Sequence, residues 1–235
     1  MKIEIWSDVI CPFCYIGKRN FEAALEQFEH KEHIEVVWKS FLLDPSISEL
    51  SSETYHEYLT KRKNMPLDQV NGMLANVTEM AKQSGLDYHL DQSIVVNSQK
   101  AHQLIQFAKS KNIGDKAEEL LFLAFFTKGK NIADTGSLIH IGLELGLNEI
   151  ELNSIFDDQK YSYEVNQDIQ EAKNIGVSGV PFFLFDRKYA ISGAQPSQVF
   201  LETLNTTFTK WNASNPKASI QVIGDNSCSV EDGCK

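Results

Sequence analysis

Two cysteines three positions apart, in the run Cys11-Pro12-Phe13-Cys14, carry the clearest chemical signal in the chain. The thiolate is the form of cysteine that attacks disulfides and binds metals, and a pair at this spacing can open and close its own disulfide. The same spacing is also half of a zinc site, and two buried cysteines can be plain packing residues. The flanking residues bear on the choice. Ile3, Ile5 and Val9, with polar residues between, read as a short strand ending near Ser7 or Asp8. After the cysteines, Gly17, Phe21, Ala24, Leu25 and Phe28 recur at helical spacing. Cys11 therefore falls at or near a helix N-cap, where unpaired N–H groups and the positive dipole end favour a thiolate. Pro12 suits a first helical turn, whose N–H has no partner anyway. This position makes Cys11 the attacking sulfur. Cys14, one turn inward, becomes the buried resolving thiol.

Val180-Pro181 is the second signal, opening the apolar run Phe182-Phe183-Leu184-Phe185. Proline cannot donate to a strand ladder, so it belongs at a strand start or after a cis bond. An ordinary trans bond at a strand start and a cis bond both fit these residues. A third signal is the pair Cys228 and Cys234 in a polar, acidic tail. Ring closure across Gly233 is geometrically easy. An auxiliary redox pair, metal binding and an incidental pair all fit this segment.

Weaker candidates are Asp8, His102, Asn97 and the aromatic group Phe122, Phe125 and Phe126. Asp8 reads as a helix cap, with movement of the Cys14 proton as the other reading. His102 reads as a structural histidine or as a residue lining a substrate cleft. Asn97 reads as an N-cap, with a substrate role as the other reading. The phenylalanines read as core, or as the wall of an apolar peptide cleft. Lys61-Arg62-Lys63 and Lys128-Gly129-Lys130 read as solvated surface.

Elements must hold these residues in place. Ile34 to Phe41, rich in β-branched and aromatic residues, is a second strand, completing a β-α-β unit. From Thr54 to Gly176 the pattern is helix after helix. Its apolar stripes include Ala101/Leu104/Ile105/Ala108, Ala117/Leu120/Leu121/Ala124/Phe125 and Leu138/Ile141/Gly142/Leu145. Gly114, Gly129 and Gly146 break these helices, with Asp115, Asp134 and Asn148 as N-caps. Val180–Phe185, a turn at Asp186-Arg187-Lys188 and Tyr189-Ala190-Ile191 form a hairpin. Pro196 then starts a last helix carrying Phe200, Leu204, Phe208 and Trp211. The expected class is α/β: a thioredoxin fold from residues 1–45 plus 178–212, a large all-helical insertion over 46–177, and a mobile tail over 213–235.

The sequence resembles the FrnE-like branch of the DsbA-family thiol–disulfide oxidoreductases. The resemblance rests on Ser7-Asp8-Val9-Ile10-Cys11-Pro12-Phe13-Cys14-Tyr15-Ile16-Gly17, on Gly179-Val180-Pro181-Phe182-Phe183 and on Ala190-Ile191-Ser192-Gly193-Ala194-Gln195-Pro196. It covers roughly residues 1–212. It implies a nucleophilic Cys11, a resolving Cys14, and a cis Pro181 beside them. Val180, Pro12, Phe13 and His102 would contact the substrate. No resident cofactor or metal is implied; glutathione is a candidate co-substrate. The implied partners are a disulfide- or thiol-containing protein or small molecule and an unidentified thiol electron donor or acceptor. Strongly oxidising periplasmic members carry histidine between their cysteines. Phe13 can neither donate a hydrogen bond nor carry charge to the Cys11 thiolate, so a less oxidising pair is expected. Kappa-class glutathione transferases and 2-hydroxychromene-2-carboxylate isomerases resemble the same architecture, with serine where Cys11 stands. A glutathione-dependent transferase or isomerase is thus the alternative, and a zinc-holding interaction module a further one.

Composition removes other classes. Against 22 Lys+Arg stand 32 Asp+Glu, a net charge of -10, which repels nucleic acid and anionic membranes. No apolar run approaches the roughly 18–20 residues of a membrane span. Met1-Lys2-Ile3-Glu4-Ile5 lacks the features of a signal peptide, so a cytoplasmic location is expected.

Overall fold

A computed structural model describes residues 1–48 and 51–216. In chain order it contains β1 (Lys2–Ser7), α1 (Pro12–Gln27), β2 (Glu35–Ser40), α2 (Tyr55–Glu57), α3 (Leu67–Gln83), α4 (Gln99–Ser110), α5 (Gly114–Phe122), α6 (Thr135–Glu144), α7 (Glu149–Ser154), α8 (Gln159–Asn174), β3 (Phe182–Phe185), β4 (Tyr189–Ser192) and α9 (Ser197–Ser214). The four strands form one mixed sheet in the order β2-β1-β3-β4. β1 runs parallel to β2, with Ile5 opposite Trp38, and antiparallel to β3, with Ile5 opposite Phe183.

Alternation along the strands assigns the two faces. Ile3, Ile5, Phe183 and Phe185 are fully buried with Phe21 and Ala24 of α1 and Phe200, Leu204 and Phe208 of α9. Each such side chain contributes about 1.5–3 kcal/mol on burial, so this face anchors α1 to the sheet. Trp6, Phe182 and Leu184 take the opposite face, against Ala172 of α8. The helices between β2 and β3 have their own large core, and that core reaches Val9, Ile10, Cys11, Cys14, Tyr15 and Ile16. The start of α1 is thus packed by the inserted helices, while its later turns are packed by the sheet.

Polar ties join the two parts. The Trp6 indole donates to the Asp168 carbonyl of α8 at 3.0 Å, and the Trp38 indole donates to the Asp115 carboxylate of α5 at 2.9 Å. The Asp168 carboxylate accepts from the Ser40 N–H at 3.0 Å, Lys39 at 2.8 Å and Gln106 at 2.6 Å.

Several expectations are corrected locally. β1 ends at Ser7, and Val9 lies beyond it, buried in the turn. Gly114 does not break a helix but begins α5, so Asp115 is inside the helix, not its cap. Its carboxylate is drawn away by Trp38 and Lys18. Asp134 and Asn148 do cap α6 and α7. Residues 58–62 and 123–127 continue α2 and α5 as widened π-helical turns. The hairpin turn forms at Asp186 and Arg187, both in the left-handed region. Pro196 is the N-cap residue of α9 and not its first helical residue. That helix continues to Ser214, past the start of the expected tail. Cys228 and Cys234 lie outside the described residues.

Candidate active site

The turn between β1 and α1 sets the cysteines. Cys11 is the N-cap of α1, with extended backbone angles (φ -90°, ψ 114°), and no side chain caps this helix end. Its N–H donates to the Asp8 carbonyl at 2.9 Å, and its own carbonyl accepts from the Cys14 N–H at 3.0 Å. The first-turn amides consequently face Cys11 without a competing side-chain acceptor, the arrangement that stabilises a negative charge there. Both thiols are free. Cys14, one turn on, is 1% exposed. Burial pushes its thiol well above its ordinary range, and a hydrogen bond with the Cys11 thiol adds to the rise.

The Val180–Pro181 bond is cis, as expected, and the Cys11 thiol donates to the Val180 carbonyl at 3.6 Å. Pro181 is held from two sides. Its carbonyl accepts from the Gly193 N–H at 2.8 Å, and its ring packs on α1 at Gly17, where a side chain would collide with it.

An apolar cavity of about 280 Å3 opens beside Cys11. Pro12, Phe13, Leu43, Tyr55, Leu74 and Val180 form much of its wall. That volume suits a single large side chain or a small molecule. Lys63 is the charged residue in the wall, and it is already engaged by Asp44 at 3.4 Å and the Tyr58 ring at 5.2 Å. Tyr55 donates to the Ile10 carbonyl, and Tyr88 donates to the Pro12 carbonyl at 2.7 Å. These two tyrosines clamp the turn before α1, a role the sequence reading did not find. The capping box Thr54-Glu57 that fixes Tyr55 was its available signal.

The structure places the remaining candidates as follows. Val180, Pro12 and Phe13 line the cavity, and Phe13 is 38% exposed at its mouth. His102 does not line it. The helix α4 is buried on several sides, and His102, 1% exposed, lies with Nε2 3.4 Å from Asp8 Oδ1. Asp8 is not a helix cap. Its side chain turns away from α1 to accept from the N–H of Leu43 at 2.8 Å and of Ile10 at 3.3 Å. The cap of α4 is Ser98, while Asn97 accepts from the Gln99 N–H at 2.9 Å and donates to the Ile47 carbonyl at 3.0 Å. Phe122, Phe125 and Phe126 are core residues stacked among Tyr15, Tyr55 and Tyr88. Lys61 pairs with Glu57 and Arg62 with Glu53 at the surface, and Lys128 and Lys130 are exposed. Among the described residues no group of three or more His, Cys, Asp or Glu is placed to hold a metal.

Comparison with known proteins bears on this arrangement directly. Residues 2–205 match the DSBA-like thioredoxin domain family. The chain belongs to that family. Its members are disulfide oxidoreductases or isomerases that act on thiol or disulfide substrates and need no cofactor. The chain is 31% identical to a probable DsbA oxidoreductase from Streptomyces coelicolor, with a TM-score of 0.85, covering 100% of this chain and 98% of that one. It is 26% identical over 207 residues to the uncharacterized protein YwbO of Bacillus subtilis (strain 168), covering 86% of this chain and 95% of YwbO. The cytosolic disulfide reductase DsbM of Pseudomonas aeruginosa shares the fold at 17% identity and a TM-score of 0.64, covering 89% of this chain and 100% of DsbM. DsbM has also been solved with GSH. No helix among the described residues is long and apolar enough to cross a membrane.

Proposed function

We propose that this protein is a thiol–disulfide oxidoreductase in which Cys11 forms the mixed disulfide and Cys14 resolves it. One observation carries the reading: Cys11 is the N-cap residue of α1 at an apolar cavity, with a resolving thiol one turn deeper and the Val180 carbonyl beside it, accepting from the Cys11 thiol. The Cys11 thiolate attacks a substrate disulfide, one substrate sulfur leaves as a thiolate, and a Cys11–substrate disulfide remains. Cys14 then attacks the Cys11 sulfur, and the second substrate sulfur leaves. The substrate gains two electrons and the protein pair becomes a disulfide. Run backwards, the same steps oxidise a substrate dithiol.

The cis-Pro181 segment contributes an acceptor carbonyl and a rigid wall beside the reacting sulfur. Two thiols at one helix start support disulfide exchange over a glutathione transferase or isomerase activity, which needs no resolving thiol. Placement in the FrnE-like branch rests on the motif residues around Cys11 and Pro181. A cytoplasmic location and glutathione as co-substrate are supported by the likeness to DsbM, a cytosolic enzyme solved with GSH. Cys228 and Cys234 are proposed from the sequence as an auxiliary dithiol. Truncation after residue 225 tests that role through altered turnover or redox potential. The principal test is dithiothreitol-driven reduction of insulin: activity is expected for the native chain and loss for Cys11→Ser. A native chain that does not speed insulin precipitation above dithiothreitol alone would remove the proposal.

A further inference from the structure

The carboxylate of Asp8 joins two stretches of the cavity wall that the sheet leaves separate. β1 and β2 stay side by side as far as the Phe41 N–H, which donates to the Ser7 carbonyl at 3.0 Å. Beyond that rung the chains part. One turns through Ile10 into Cys11, and the other runs on through Leu43 toward the inserted helices. Ile10, Cys11 and Leu43 all line the apolar cavity. Asp8 Oδ2 accepts from the Leu43 N–H at 2.8 Å, and Oδ1 accepts from the Ile10 N–H at 3.3 Å. Each oxygen thus holds one side of the parting, and the side chain spans it.

Asp8 and His102 are both fully buried, and His102 Nε2 stands 3.4 Å from Asp8 Oδ1. A carboxylate removed from water needs partners, and here they are two backbone amides with an imidazole behind them. Neither ring nitrogen of His102 completes a hydrogen bond to the protein. The imidazole fills the space behind the carboxylate and keeps it turned toward the two amides. The acid is not engaged in capping, since α1 has no side-chain cap. Leu43 in turn is 42% exposed, so packing alone does not fix it. Its backbone bond to Asp8 does.

We propose that Asp8 is a positioning residue for substrate: by tying Leu43 to the Cys11 turn it sets the width of the cavity, and with it a preference for disulfides whose sulfur carries an apolar, ring-sized group. The inference rests on the redox reading above. Cys11 is part of the wall, so the group that enters is the one attached to the sulfur that Cys11 attacks. The polar groups of the wall are already engaged. The Tyr55 hydroxyl donates to the Ile10 carbonyl, the Tyr58 hydroxyl donates to Asp44 at 2.9 Å, and Lys63 pairs with Asp44. A polar chain entering there would lose its water without matching bonds, whereas an aryl or branched alkyl group exchanges water for contact. If the Leu43 wall is loosened, the occupant loses contact on that side and the preference falls.

Two disulfides separate this role from a general loss of activity. Diphenethyl disulfide presents a ring to the cavity, and the disulfide of mercaptoethanol presents a short hydroxylated chain; both release alkyl thiolates. The reduced full chain is mixed with each and quenched with acid, and the Cys11–Cys14 disulfide is followed by mass spectrometry. The native chain should react faster with the aryl disulfide by about tenfold or more, the discrimination an apolar pocket achieves. Asp8→Asn keeps the shape of the side chain but offers one acceptor oxygen in place of two. Its ratio of aryl to hydroxyalkyl rates should fall by at least about threefold, a fraction of the cost of an ångström of misplacement, and Leu43→Ala should lower the ratio likewise. A merely structural role would slow both disulfides equally, and that result overturns the inference, as does an unchanged ratio or a native chain without preference. The Leu43 amide of the native chain should exchange slowly with deuterium; exchange at the rate of a free amide overturns the inference without any variant. If the native chain is oxidised by neither disulfide, the redox reading itself fails, and this inference with it.

Discussion

Gly17 and Pro181 are packed so closely that a Cβ on Gly17 would lie 2.9 Å from Cγ of Pro181. That is inside any relaxed carbon–carbon contact, and a proline ring has little freedom to yield. Gly17→Ala therefore gains helix propensity, about 1 kcal/mol, but incurs about 1–3 kcal/mol of overpacking. A small net loss of stability is expected. The larger effect is on function, because the collision pushes the Val180 carbonyl away from Cys11. Disulfide exchange should fall about three- to tenfold, a fraction of the cost of an ångström of misplacement. Native exchange rates in a folded Gly17→Ala protein would show that the wall beside Cys11 need not be so tightly placed.

The two thiols should differ sharply toward alkylating reagents. Cys11 lines the cavity, whereas Cys14 is sealed beneath it with its ionisation suppressed by burial. Iodoacetamide near neutral pH should modify Cys11 first, and Cys14→Ser should accumulate stable mixed disulfides at Cys11. Peptide mapping that found Cys14 labelled ahead of Cys11 would reverse their roles.

Alkaline stability should depend on the redox state. Cys14 holds its proton more tightly folded than unfolded, as do the buried hydroxyls of Tyr55 and Tyr88. Stability from such groups is complete below the unfolded value and drains away as pH rises beyond it. For the reduced protein the loss begins near the ordinary thiol value of 9.0, at about 1.4 kcal/mol per pH unit for each group. The Cys11–Cys14 disulfide form lacks the thiol contribution, so its loss begins near the ordinary tyrosine value of 10.0. Urea melts of both forms from pH 8 to about 11 measure this. Coincident curves would argue that Cys14 titrates freely in the folded state.

Lys18 offers a test of how α1 is joined to the inserted helices. Its ammonium is 2% exposed, 3.3 Å from Asp115 and 3.2 Å from Glu119, and it also contacts Glu22. Lys18→Met keeps the aliphatic stem and leaves three carboxylates without their shared cation. Breaking a buried pair from one side costs about 3–5 kcal/mol. The lower end is expected, since Asp115 and Glu22 reach water. A denaturation midpoint within error of the native one would mean that the carboxylates relax fully into solvent.

What could be read in the sequence were features written locally. The Cys11–Cys14 turn, the hairpin at Asp186-Arg187, the caps Asp134 and Asn148 and the helical stripes each depend on a few neighbours. Features that depend on distant partners were misread or missed. Asp8 resembles a cap by its distance from Cys11, yet the Leu43 amide, far along the chain, claims its carboxylate. Asp115 likewise resembles a cap, yet it lies inside α5 and its carboxylate is taken by Trp38 and Lys18.

The two indole bonds between the sheet and the inserted helices have an optical consequence. Trp6 and Trp38, both buried, each reach across to a different helix, α8 and α5. If substrate or oxidation moved those helices from the sheet, both rings would lose their polar partner and meet water, and their emission would shift to the red. Trp211, half-buried on α9, adds its own emission to the signal. The chain thus carries a built-in fluorescent gauge of how firmly its two parts are closed, readable without any label.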